Sequence, residues 1–261
     1  MQVVAKKSLG QNFLVNPHIL DKIIAAAEIS KDDTILEVGP GTGNLTRKLL
    51  EKAGRVVTVE KDHRLIEPLK ETFKDCPNVE IIEADVLRWA PSQLRWCPSY
   101  KIVANIPYYI TSNFLRTIFE SWPSPRLIII MIQKEVAQRI IAKPPHMNLL
   151  ALSIQYYAEP KIVGFISKNN FRPVPKVDSA IIRLSPKSEI LNPKQTEQIF
   201  KLIKAGFLGK RKQLAGNLLK HLKIPKEKTF SALAGLKLSP TARAEELSLE
   251  QWQELAKILY T

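Results

Sequence analysis

Five short β-branched runs, at residues 34–38, 56–60, 79–82, 101–104 and 127–131, alternate along the first half of the chain with stretches long enough to form helices. Strands spaced this way are not joined by hairpins. Each connection has to carry a helix across a sheet face, so the pattern specifies βαβ units and a parallel sheet covered on both sides. Two more runs, 161–167 and 179–184, lie close together across a Pro-rich turn and are expected as an antiparallel pair at one sheet edge. The expected fold class is α/β, a Rossmann-like sheet of seven strands, over residues 1–185.

Beyond Ser185-Pro186 the strand pattern stops and helical periodicity takes over, at residues 195–208 and 249–259. Ser248, with Gln251 three residues later, reads as a capping box for the last helix. Residues 186–261 are therefore expected to form a small all-helical C-terminal domain.

Charge narrows the partners. Lys and Arg number 39 against 25 Asp and Glu, a net charge of +14, which favours a polyanion such as nucleic acid through counterion release. The excess is densest between Lys201 and Lys228. There Lys201, Lys204, Lys210, Arg211, Lys212, Lys220, Lys223, Lys226 and Lys228 face a single acid, Glu227. A run this dense in the helical domain is read as an RNA-backbone contact. Cys76 and Cys97 form no CxxC pair and have no His at ligand spacing, so neither a disulfide framework nor a metal site is expected. The longest apolar run, residues 127–132, is too short to span a bilayer. A cytoplasmic monomer is the expectation.

The first strand leads into Glu37-Val38-Gly39-Pro40-Gly41-Thr42-Gly43, a glycine-rich turn where a missing Cβ lets backbone approach a nucleotide-like ligand. The spacing is G-x-G-x-G, which does not meet the pyrophosphate fingerprint of NAD enzymes. Glu60 ends the next strand, twenty-one residues after Gly39, where a carboxylate can accept both hydroxyls of a ribose. Asp85, after the third strand, can accept an adenine amino group at the same edge.

The fourth strand ends in Asn105-Ile106-Pro107-Tyr108-Tyr109-Ile110-Thr111. The adenine amino group is a poor nucleophile because its lone pair is delocalised into the ring. Two acceptors, the Asn105 side-chain oxygen and the Ile106 or Pro107 carbonyl, can each take one of its N–H groups and counter the charge that develops as it attacks a methyl sulfonium. Pro107 fixes φ and so aims the carbonyl, and Tyr108 offers a face to an extruded base.

Asn-Ile-Pro-Tyr resembles the signature of amino-group methyltransferases in its ribosomal RNA version. Together with Ser8 to Leu14, Glu37 to Thr46, Gln133 to Arg139 and Phe171 to Ala180, it is similar to the KsgA (RsmA) family of rRNA adenine dimethyltransferases, over about residues 8–219. The resemblance implies S-adenosyl-L-methionine as cofactor, S-adenosyl-L-homocysteine as product, and no metal. It implies that Asn12 and Leu14 close the cofactor pocket, that Gly39 and Gly41 line it, and that Glu60, Asp85 and Asn105 contact the cofactor. It further implies that Phe171 stacks on the target base opposite Tyr108. The implied substrate is a pair of adjacent adenosines near the 3′ end of small-subunit (16S) rRNA, within an immature 30S-type subunit. Residues 144–148 and Arg172 depart from the family pattern on the substrate side. Two other readings stay open: an Erm-type methylase of large-subunit rRNA, which shares Asn-Ile-Pro-Tyr, and a ribosome-assembly factor whose binding matters more than its methylation. The segment Pro175-Lys176-Val177-Asp178-Ser179 leans toward KsgA.

Overall fold

The computed structural model describes residues 6, 10–91, 99–188, 191–209 and 212–260; Lys210, Arg211 and Cys97 lie outside them. In chain order the strands are β1 (Phe13–Leu14), β2 (Thr34–Val38), β3 (Arg55–Glu60), β4 (Val79–Glu83), β5 (Lys101–Asn105), β6 (Leu127–Gln133), β7 (Ala158–Ile166), β8 (Phe171–Arg172) and β9 (Ser179–Pro186). The helices are α1 (Pro17–Ala27), α2 (Asn44–Lys52), α3 (His63–Thr72), α4 (Thr111–Ser121), α5 (Lys134–Ile140), α6 (Leu149–Tyr157), α7 (Pro193–Phe207), α8 (Leu214–Leu222), α9 (Lys226–Gly235) and α10 (Leu249–Tyr260).

Seven strands form one sheet in the order β4-β3-β2-β5-β6-β9-β7. The β4-β3-β2-β5-β6 neighbours are parallel, and β9 runs antiparallel to β6. The two late runs are neighbours as expected, with β7 at the edge and β9 wedged between it and β6. Central strands such as β5 and β6 are buried on both faces, the burial that their unbroken apolar runs require. From β2 the sheet grows one way through β3 and β4 and the other way through β5. The carboxyl ends of β2 and β5 therefore flank a topological switch point, where open α/β sheets bind ligands.

Local chemistry sets the helix starts. Asn16 caps α1 by accepting the His18 N–H at 3.0 Å, with Pro17 at the first helical position. Ser248 and Gln251 form the expected box, with the Ser248 N–H donating to Gln251 Oε1 at 2.8 Å and the Gln251 N–H to Ser248 Oγ at 3.2 Å.

The backbone divides into two compact units, residues 1–137 with 160–186 and residues 138–159 with 187–261. The chain passes between the units after residues 137, 159 and 186. Residues 138–159, expected with the sheet, belong to the helical unit, because the apolar faces of Ala151, Leu152 and Tyr156 are buried in a cluster with Leu202, Leu218 and Trp252. Among the described residues, no helix is long and apolar enough to cross a membrane.

Candidate active site

The glycine turn after β2 sets the geometry of the site. Gly39, Gly41 and Gly43 all have positive φ (70°, 59° and 80°), a region that side chains with a Cβ rarely adopt. The turn leaves room for the N-terminal segment: a Cβ on Gly41 would stand 3.0 Å from the Phe13 ring. Asn12, Phe13 and Leu14 border the same cavity as Gly39 and Gly41. They are held there by β1–β8 pairing and by Gln11, whose amide donates to Asp62 Oδ2 at 2.8 Å. The cavity encloses about 1190 Å³ of atom-free space, part of it open to solvent.

Three acids reach this cavity with different partners. Glu60 is nearly buried, and its carboxyl accepts the Asp62 N–H at 2.8 Å and the Gly41 N–H at 3.3 Å. Burial raises its pKa, and these backbone donors oppose the shift. Asp85 accepts from Lys61 Nζ at 2.8 Å and from the Leu87 N–H at 3.0 Å. The Lys61 ammonium holds its pKa below the ordinary value, so an incoming amino group would share an acceptor already engaged.

The third acid, Glu37, opens the glycine motif. It is 1% exposed, lines the cavity, and has its pKa pushed up to about 8 by burial, against the Thr46 hydrogen bond and with a contribution from the Glu60 charge. Its Oε1 is buried without a hydrogen-bond partner among the described residues. The signal was present in the sequence: an acid inside the apolar run Thr34-Ile35-Leu36-Glu37-Val38 is a buried carboxyl waiting for a donor.

At the end of β5, Asn105 is partly buried and lines the cavity with Ile106, Pro107 and Tyr108. The Pro107 carbonyl accepts the Ile110 N–H at 3.2 Å, which commits that oxygen to the turn Tyr108–Ile110. Tyr108 is fixed by a 2.6 Å hydrogen bond between its hydroxyl and the buried Ser179 Oγ.

Phe171 departs from the expectation. It is 1% exposed, packs in the core cluster that includes Leu14, Ile19 and Ile181, and does not line the cavity. The reason is the β1–β8 register. Phe171 stands opposite Leu14 and both side chains turn inward, whereas Arg172 on the alternate face is exposed. In this geometry Phe171 anchors the strand that holds the N-terminal segment over the cavity.

Of the expected RNA-contacting residues, those that the structure describes belong to the helical unit. Lys201 and Lys204 are exposed on α7 beside the buried Leu202 and Ile203, and Lys212, Lys220 and Lys223 are exposed as well. The structure thus gathers Asn12, Leu14, Gly39, Gly41, Glu60, Asp85, Asn105, Pro107 and Tyr108 around one cavity.

Comparisons with known proteins identify the family. The family model described as ribosomal RNA adenine dimethylase matches residues 3–261. A Dehalococcoides mccartyi protein named ribosomal RNA small subunit methyltransferase A is 44% identical over 253 residues, covering 96% of this chain and 87% of its own. A Lachnoclostridium phytofermentans protein of the same name is 41% identical over 266 residues, covering 98% and 92%. Among solved structures, the 23S rRNA methyltransferase ErmE superposes with a TM-score of 0.80 at 30% identity, covering 96% of this chain and all of its own. A dimethyladenosine transferase from Plasmodium falciparum gives 0.77 at 29% identity, covering 93% and 95%. With a full-length family match and a sheet-edge site of this composition, the chain belongs to the ribosomal RNA adenine dimethylase family.

Proposed function

We propose that this protein transfers methyl groups from S-adenosyl-L-methionine to N6 of two adjacent adenosines near the 3′ end of small-subunit rRNA, forming N6,N6-dimethyladenosine. It does so as a cytoplasmic monomer, on an immature small subunit. The observation that carries the reading is that Asn105, Pro107 and Tyr108 open into the same cavity as the glycine turn and Glu60.

The residues present suit this cofactor. Glu60 and Asp85 stand as acceptors for ribose and adenine, and the unpartnered Glu37 Oε1 offers a buried acceptor for the amino group of the methionine portion. When bound, the cofactor supplies an electrophilic methyl group. The protein's part is to hold the amine. Asn105 takes one N–H of the target through its side-chain oxygen. The second acceptor is the Ile106 or Pro107 carbonyl, the latter already taking the Ile110 N–H at 3.2 Å. Tyr108, braced by Ser179, bounds one face of the base. The acceptors counter the positive charge that grows on N6, and the proton then leaves to water. The exposed lysines of the helical unit supply backbone contacts to rRNA.

Labelled S-adenosylmethionine, incubated with small subunits, large subunits and free rRNA lacking adenine dimethylation, tests the reading once the modified nucleosides are mapped. Dimethyladenosine confined to the small-subunit 3′ region is the expected result. Label on the large subunit would move the activity to the Erm-type methylases, for which the likeness to ErmE speaks. The relatives named small subunit methyltransferase A favour the small subunit.

A further inference from the structure

The mouth of the cavity carries a second tyrosine to which the reaction described above gives no task. Tyr109 follows Tyr108 in the same turn and lines the same cavity, but the two residues are held differently. Tyr108 is tied to Ser179, while Tyr109 is 61% exposed. One side of the Tyr109 ring is nonetheless fixed. A Cβ on Gly10, which has φ +60°, would lie 3.3 Å from Cδ1 and Cε1 of Tyr109 and 3.5 Å from the Pro107 Cβ. The ring thus rests on the N-terminal segment and keeps an open remainder.

An aromatic side chain held this way is a rigid contact surface that loses little conformational entropy when something stacks on it. Lys61 lines the same cavity, its side chain 56% exposed and its ammonium on Asp85 at 2.8 Å. A ring and a cation at one mouth suit a single-stranded nucleotide, with base on ring and phosphate near ammonium. Extruding one adenosine into the pocket breaks its stacking on the next base, which then presents a bare face beside the mouth.

Building on the rRNA adenine methyltransfer reading, we infer that Tyr109 is a positioning residue for RNA, the platform on which the nucleotide adjacent to the target adenosine stacks. For a substrate of two adjacent adenosines that nucleotide is the partner adenosine itself. The contact would then hold the pair in register while either base is methylated.

The test compares wild type, Tyr109→Phe and Tyr109→Leu. Methyl transfer is followed against the concentration of small subunits lacking adenine dimethylation, and S-adenosylhomocysteine affinity is measured by calorimetry. Leucine keeps an apolar contact with Gly10 but has no π face. The expected result is a KM for subunits about tenfold higher in Tyr109→Leu, recovered in Tyr109→Phe, with cofactor affinity unchanged. A KM equal to wild type in the leucine variant overturns the inference. So does a fall in S-adenosylhomocysteine affinity as large as the rise in KM, which would make Tyr109 a wall of the cofactor cavity. Failure of the underlying reading shows separately, because the wild-type protein would then leave small subunits unlabelled before any variant is compared.

Discussion

The Thr46 hydroxyl donates to Glu37 Oε2 at 2.6 Å, while the other oxygen of that carboxyl is buried and meets no donor among the described residues. A carboxyl so placed holds its proton until something cationic arrives. With a folded pKa of about 8 against an ordinary 4.5, the folded state carries a proton that the unfolded chain lacks between those pH values. Stability of the ligand-free protein should therefore fall as pH rises across this window, by on the order of a few kcal/mol in all. Glu37→Gln, which mimics the protonated form, should flatten the decline and weaken cofactor binding. Urea unfolding at several pH values checks this, and an unchanged slope in the variant would assign the proton elsewhere.

Asn105→Ala should cut methyl transfer by about 100-fold or more, because an acceptor that counters the charge growing on N6 is lost. Single-turnover assays with saturating cofactor separate this from binding. If the variant still binds the small subunit and stalls its maturation, the protein has an assembly role beyond catalysis.

Gly41→Ala places a Cβ at φ 59° and against the Phe13 ring. The left-handed conformation costs about 1–2 kcal/mol for a residue with a Cβ, and the N-terminal segment must shift as well. Weaker S-adenosylhomocysteine binding with a modestly lower melting temperature is expected. Calorimetry showing wild-type affinity would mean that Phe13 gives way without cost to the pocket.

Lys101 tests the opposite end of β5. Its buried ammonium donates to the Ala27 and Glu28 carbonyls at 3.2 and 2.6 Å and to Asp33 at 2.8 Å, closing the end of α1 onto the sheet. Lys101→Met leaves Asp33 without its main partner and should cost about 3–5 kcal/mol of stability. Asn105 lies about 13 Å further along the strand, so activity per folded molecule should stay the same. A proportional loss of kcat would show that the two ends of the strand are coupled.

Replacing Lys201 and Lys204 with Ala should weaken binding to rRNA and reduce the slope of log affinity against log salt by roughly 0.7–0.9 per lost phosphate contact. Cofactor affinity serves as the control. An unchanged slope would exclude this face of α7 from the RNA interface.

The sheet was legible in the sequence because buried parallel strands write themselves as β-branched runs, and the Ser248–Gln251 box was legible because its chemistry is local. β1 and β8 were not, since two residues each are too few to show a period. The same gap misplaced Phe171: its motif was visible, but only the pairing with Leu14 decides which way the ring turns. The Gln11–Asp62 bond joins residues fifty-one apart and has no local signal. α6 is apolar on most sides, so nothing in its own sequence assigns it to the sheet or to the helices.

The placement of residues 138–159 bears on how the protein is made. This segment leaves the ribosome before any of residues 187–261, which supply most of the cluster that buries Ala151, Leu152 and Tyr156. Synthesis runs at about 5–20 residues per second, so these apolar side chains wait seconds for their cover while the sheet's own last strand is still being added. A chain shortened at residue 186 never receives that cover. It would present the exposed α6 face to chaperones and to other nascent chains, although every residue of the catalytic cavity had already been translated.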